Sequence, residues 1–160
     1  LPSLFDNGFG IVTGLVMEIE ELVIIVGVPL ILGLLWNRWA GGASGFIMGT
    51  FYAFYWSSSF HGVRYSGTVS MAYILGAMLI GFIAGSLNNR SDNLVRLLIS
   101  AIIATTIGGA VEFSVFQLST ANVVTGIEGF LLVVLARTIC GLGVATIAKV
   151  FFWYGIPRKG

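Results

Sequence analysis

From Gly67 to Leu87 the chain carries no charged side chain, and its apolar residues do not alternate with polar ones. A half-buried strand alternates with period two, and a soluble helix keeps one polar face. A run that is apolar all round and close to 20 residues long has the length and chemistry of a helix crossing a bilayer. In lipid every backbone N–H and C=O must be satisfied inside the chain, so the choice lies between helices and a closed barrel. Barrel strands are about ten residues long and alternate in polarity. The runs here do neither.

Six such runs are legible: Leu22–Trp36, Trp39–Trp56, Gly67–Leu87, Leu94 to about Phe116, Val123–Ala136 and Thr138–Ile156. The first is short unless Phe9–Met17 extends it, and the fifth is short as well. Val123 to Ile156 also reads as one long tilted helix interrupted at Arg137. The polar breaks place Arg38, Arg90 and Arg137 at the turns of three helical hairpins, and Asn37-Arg38 echoes Asn89-Arg90. The expected fold is all-α: a polytopic transmembrane bundle of about six helices with short loops, forming a single domain over residues 1–160 of a multi-pass cell-membrane protein. The chain opens Leu1-Pro2-Ser3 without methionine, so an upstream signal or helix is expected to have been removed or to lie outside this sequence.

Composition agrees. Hydrophobic residues make up 57% of the chain and charged residues 9%, against about 45–50% and 25% in soluble domains. A net charge of +1 supplies no field for a phosphate backbone, so nucleic acid is not an expected partner. The single cysteine, Cys140, forms no intrachain disulfide.

Sidedness follows from the basic residues. The hairpin turns, face B, hold Arg38, Arg90, Arg96 and Arg137. The opposite face A holds Arg64, with Arg158 and Lys159 at the C-terminus. Short turns favour face B as cytoplasmic, while the basic tail argues against it.

Charges inside apolar runs are the strongest pointers to function, because they are expensive in lipid. Glu112 and Glu128 lie at similar distances on either side of the Gln117–Asn122 turn. If their helices pair, the two carboxylates can share a cation. Lys149, midway along the sixth run, either snorkels or pairs with Glu112 or Glu128. Glu18, Glu20 and Glu21 form an acidic group at the face-A end of the first run, readable as a helix-dipole partner or as a cation-binding mouth. Phe51 to Trp56, with Phe60-His61, forms either an interfacial aromatic belt or a stacking platform for a ligand. Pro29, between Gly27 and Gly33, is expected to kink the first helix.

Small residues recur every four positions: Gly41, Gly45 and Gly49, then Ala77, Gly81 and Gly85. Each set lies on one helix face and suits close packing, within the protein or against a partner. No zinc-binding, phosphate-binding or nucleophile motif is present, and neither His61 nor Cys140 has neighbours of a metal or catalytic site. The expectation is a chain without catalysis, metal or cofactor.

The stretch Pro29 to Gly45, PLILGLLWNRWAGGASG, resembles the substrate-binding S components of energy-coupling-factor transporters, with a glycine-rich turn followed by a helix opening in a G-x-x-x-G pattern. The third run, from Leu75-Gly76 to Gly85 and ending near Arg90, is similar too, so the resemblance spans about residues 22–96. It implies a cytoplasmic glycine-rich turn and an outward ligand pocket gathering Trp56, His61, Glu112 and Gln117. It also implies membrane and ATPase partner subunits. The family's first helix has no clear counterpart, and two runs stand where the family has one final helix. Two functions remain open: a small-solute or cation-binding transport component working with other membrane subunits, or an accessory subunit of a larger membrane enzyme or respiratory-type complex.

Overall fold

The computed structural model describes residues 19–56, 67–89, 91–117 and 126–155, and every regular element among them is helical. The protein is an all-α, membrane-embedded bundle. Among the described residues three helices are long and apolar enough to cross a bilayer: Gly67–Asn88, Leu94–Val115 within a longer helix, and Val134–Trp153 within another.

A π-helical turn, Leu22–Gly27, leads into α1 (Val28–Leu35). The widened turn has a local cause. Pro29 has no N–H and its ring crowds the carbonyl four residues back. The helix loosens just before it, and Val28 N–H bonds to Val23 O five residues away. The chain reverses at Trp36-Asn37. Asn37 is extended, and its side chain accepts a 2.8 Å bond from Ala40 N–H, capping α2 (Arg38–Thr50). A second π-helical turn, Phe51–Trp56, continues α2. Helices α3 (Gly67–Asn88), α4 (Leu94–Gln117) and α5 (Gly126–Trp153) complete the bundle.

The asparagines of the two echoing Asn-Arg pairs do different work. Asn37 starts a helix, whereas Asn89 ends one, in the left-handed conformation at φ 48°. Fully buried Asn88 donates to Leu34 O (2.9 Å) and Ser91 O (3.1 Å), satisfying a carbonyl at the end of α1 and joining the two face-B turns.

The small-residue stripes face each other. A Cβ on Gly41 would lie 2.2 Å from Gly81 O, one on Gly45 2.3 Å from Ala77 O, and one on Gly85 2.5 Å from Arg38 Cα. Gly49 lies against Ile74 in the same way. These are backbone-to-backbone approaches that no side chain fits, and they run antiparallel along α2 and α3. Packing of this kind drives helix association in lipid, where burial of apolar surface drives little. The stripes are therefore internal seams. The core is completed by Ile25, Leu30, Leu34, Ile80 and Leu97, all fully buried.

Of the two readings of the C-terminal stretch, the single long helix holds and the hairpin fails: Gly126–Trp153 is one continuous helix, α5, and Arg137 is neither a turn nor an interruption. Nothing around Arg137 breaks a helix: Leu135, Ala136, Thr138 and Ile139 all continue one. The described residues thus form five helical rods, counting α1 and α2 with their π-helical turns. The odd number moves the chain's end. Lys149 Nζ donates to Asp92 O at 2.7 Å, so the C-terminal end of α5 lies beside the α3–α4 turn, on face B. Arg158 and Lys159 follow that end in sequence rather than one on face A.

Candidate functional site

Three rods bring charge together inside the bundle. Glu112, near the face-A end of α4, is completely buried. Its Oε2 accepts from Arg137 Nε at 2.9 Å, and its Oε1 accepts from Arg137 Nη2. The same Nη2 donates to Glu21 Oε1 at 2.9 Å, from the helix preceding α1. Arg137 thus bridges two carboxylates from the first and fourth rods, and all three side chains are largely shielded, with 5% exposure at Arg137 and 22% at Glu21. A two-point contact from Nε and one Nη of a planar guanidinium fixes geometry as well as charge.

The surroundings are shaped for this cluster. A Cβ on Gly76 of α3 would lie 2.8 Å from Glu112 Oε2 and 3.2 Å from its Cβ, so only glycine leaves the carboxylate its position. Tyr73, on the adjoining turn of α3, is 6% exposed and stacks edge-on to Tyr52 at 5.2 Å. Beyond it, Glu20 Oε2 accepts from Trp56 Nε1 at 3.0 Å, tying the first rod to the end of the second. Ser70 Oγ, buried on the same helix, has no hydrogen-bond partner among the described residues. Both π-helical turns flank this region, and such turns are frequent at functional sites. The second turns Tyr52 and Ala53 inward while Phe54 and Tyr55 stay exposed.

The chemical capacity of the cluster is set by its count. Among the described side chains, two carboxylates meet one guanidinium. Both Glu112 and Arg137 fall inside candidate membrane spans, each three residues from the face-A end of its span. Ionised groups at that depth are costly unless they are paired as these are.

The expected site residues divide accordingly. Glu112 and Trp56 belong to this region. Glu112 pairs with Arg137 and not with Lys149, whose amine reaches the face-B turn instead. Lys149 is thus not the charge partner that its mid-run position suggested. His61 and Glu18 lie outside the described residues, as do the side chains of Gln117 and Glu128. No group of three or more metal-binding side chains occurs among the described residues. The sequence reading missed Arg137 and gave Glu21 no partner. The unbroken apolar sequence on both sides of Arg137 was the signal that places it within a helix. Compared with protein-family models, with curated proteins and with solved structures, the chain matches none of them.

Proposed function

We propose that this chain is a non-catalytic, solute-binding component of a membrane transport system, working with partner subunits. In this reading the Glu21–Arg137–Glu112 cluster supplies the charged part of its site. The carrying observation is the buried guanidinium held between two carboxylates inside the membrane span. Intramembrane charges are costly and mark substrate and ion pathways, and a buried ion pair is a poor source of stability. Two carboxylates converging on one site suit a proton or a small cation, taken up with the solute or as the solute. The resemblance of residues 22–96 to transporter S components supports the same reading, with the ligand side at face A and the partner side at face B.

The test is native mass spectrometry of the chain extracted from its own membrane in mild detergent, followed by identification of what is released on denaturation. Wild-type protein should carry a stoichiometric small solute or cation, and Glu112→Gln should lose it. Wild-type protein that carries none while travelling with larger subunits would overturn the proposal. That outcome would favour the accessory-subunit reading, which has one observation of its own. Only 22% of the Val134–Trp153 segment is buried, against 50% for α3, leaving a long apolar face of α5 for lipid or a neighbouring protein.

A further inference from the structure

A groove of about 450 Å³ runs along the outer side of the α2–α3 seam, lined by Trp39, Gly42, Phe46, Ile47, Met78 and Phe82. It begins at the face-B end of α2 and follows the helix from residue 39 to 47, a depth of about 12 Å at 1.5 Å per residue. Its floor is open because Gly42 has no side chain; a Cβ there would rest 3.6 Å from the Phe82 ring, in ordinary contact. The groove is apolar throughout its length and carries its only charge at the mouth. There the Arg38 guanidinium sits 5.5 Å from the Trp39 ring centre and 5.9 Å from that of Phe82. These two rings meet edge-on at 5.6 Å, forming a small platform under the cation. Arg38 is exposed, and no carboxylate pairs with it among the described residues. It also stands at the first position of α2, where the helix dipole and the free N–H groups favour a negative charge, not a positive one.

We infer that this groove holds one acyl chain of an anionic phospholipid, whose phosphate sits on Arg38. The apolar walls fit a hydrocarbon tail, and the platform holds the guanidinium at headgroup height. The phosphate satisfies both the unpaired cation and the helix start. A second copy of the chain docked on the same groove about a two-fold axis along the membrane normal would bring two Arg38 side chains into one leaflet at close range. Charge complementarity therefore favours the lipid. Basic sites between helices at the cytoplasmic surface recognise anionic headgroups in the same way. The inference is independent of the function proposed above, since it involves none of the same residues.

The experiment is native mass spectrometry of the full chain in mild detergent, titrated with dioleoyl phosphatidylglycerol or dioleoyl phosphatidylcholine. Wild-type protein should bind one phosphatidylglycerol about five-fold more tightly than phosphatidylcholine, the selectivity of one basic residue at an anionic surface. Arg38→Gln should bind the two lipids equally, because the exposed side chain contributes the charge and not the groove. Gly42→Leu should fill the groove and lose both lipids. Because Gly42 adjoins the seam residue Gly41, Ala43→Phe, from an exposed position on the groove wall, provides the same blockage independently. No headgroup preference in wild-type protein, selectivity that survives Arg38→Gln, or a dimer that excludes lipid would each overturn the inference.

Discussion

Replacing Arg137 with glutamine should be more damaging than replacing Glu112 with glutamine, though each removes one side of the same contact. Arg137→Gln leaves two carboxylates on a neutral amide: Glu112, fully buried, and Glu21, 22% exposed. Removing one member of a buried ion pair typically costs about 3–5 kcal/mol, since the remaining charge has no compensation. Glu112→Gln leaves Arg137 with Glu21 at 2.9 Å, a one-to-one pair, and the amide oxygen keeps one of the two guanidinium bonds, while the amide NH2 that replaces the other oxygen cannot accept the second. One charge-assisted bond is lost, about 1.5–3 kcal/mol. The double variant places two amides together beside Glu21 and should cost less than the sum of the single changes. Residues in one ion-pair network couple by about 0.5–3 kcal/mol.

The assay is reversible unfolding in mixed micelles, with denaturing detergent as the variable and helical circular dichroism as the signal, run on all four proteins of the cycle. A difference of 3 kcal/mol shifts the folded-to-unfolded ratio by about two orders of magnitude. Because the cluster is shielded, the coupling should persist at high salt, whereas surface pairs are screened within about 10 Å at 0.1 M. If Arg137→Gln and Glu112→Gln destabilise equally and add without coupling, the cluster does not hold the charge arrangement described.

Two further predictions concern packing and topology. Gly81→Val should destabilise by about 1–3 kcal/mol or prevent folding, because its Cβ would lie 2.1 Å from Gly41 O; Gly143→Ala, with nothing within 4 Å, should be neutral or stabilise by up to about 1 kcal/mol, and thermal unfolding of the pair checks both. With α5 ending on face B, Arg38, Arg90, Arg96, Lys149, Arg158 and Lys159 all belong to that side or follow it in sequence, leaving for face A only Arg64 and the buried Arg137, so face B should be cytoplasmic. A cysteine at Ser91 should react with an impermeant maleimide only after the cells are opened, and labelling in intact cells would reverse the orientation.

Much of the fold was legible because lipid makes the rules strict. The Gly67–Leu87 run became α3 nearly residue for residue, since nothing else can satisfy its backbone in a bilayer. Four-residue spacing put Gly41 and Gly81 on packing faces, but spacing alone does not say which face meets which. That needed the antiparallel register of α2 and α3. The short first and second runs hid their π-helical turns, because a turn widened by one residue leaves hydropathy unchanged. Glu112 was recognisable by its cost in lipid. Its partner was not, because the contact from residue 112 to residues 137 and 21 joins rods distant in the sequence. An arginine between two apolar runs resembles a loop when runs are counted by charge.

The reassignment of Arg137 from turn to core accounts for several features at once. A turn there would make six short rods and return the basic tail to face A, leaving Glu112 to find a cation elsewhere. With α5 continuous, Glu112 and Glu21 both have a partner, and Lys149 reaches the face-B turn beside Asp92. Six of the eight basic residues then lie on face B or follow it in sequence. The same change explains why Gly76 must be glycine: α4 can bring Glu112 to Arg137 only by passing its carboxylate against the backbone of α3. The second carboxylate, Glu21, is held by the same guanidinium nitrogen that binds Glu112, so the first, fourth and fifth rods meet at Arg137 Nη2.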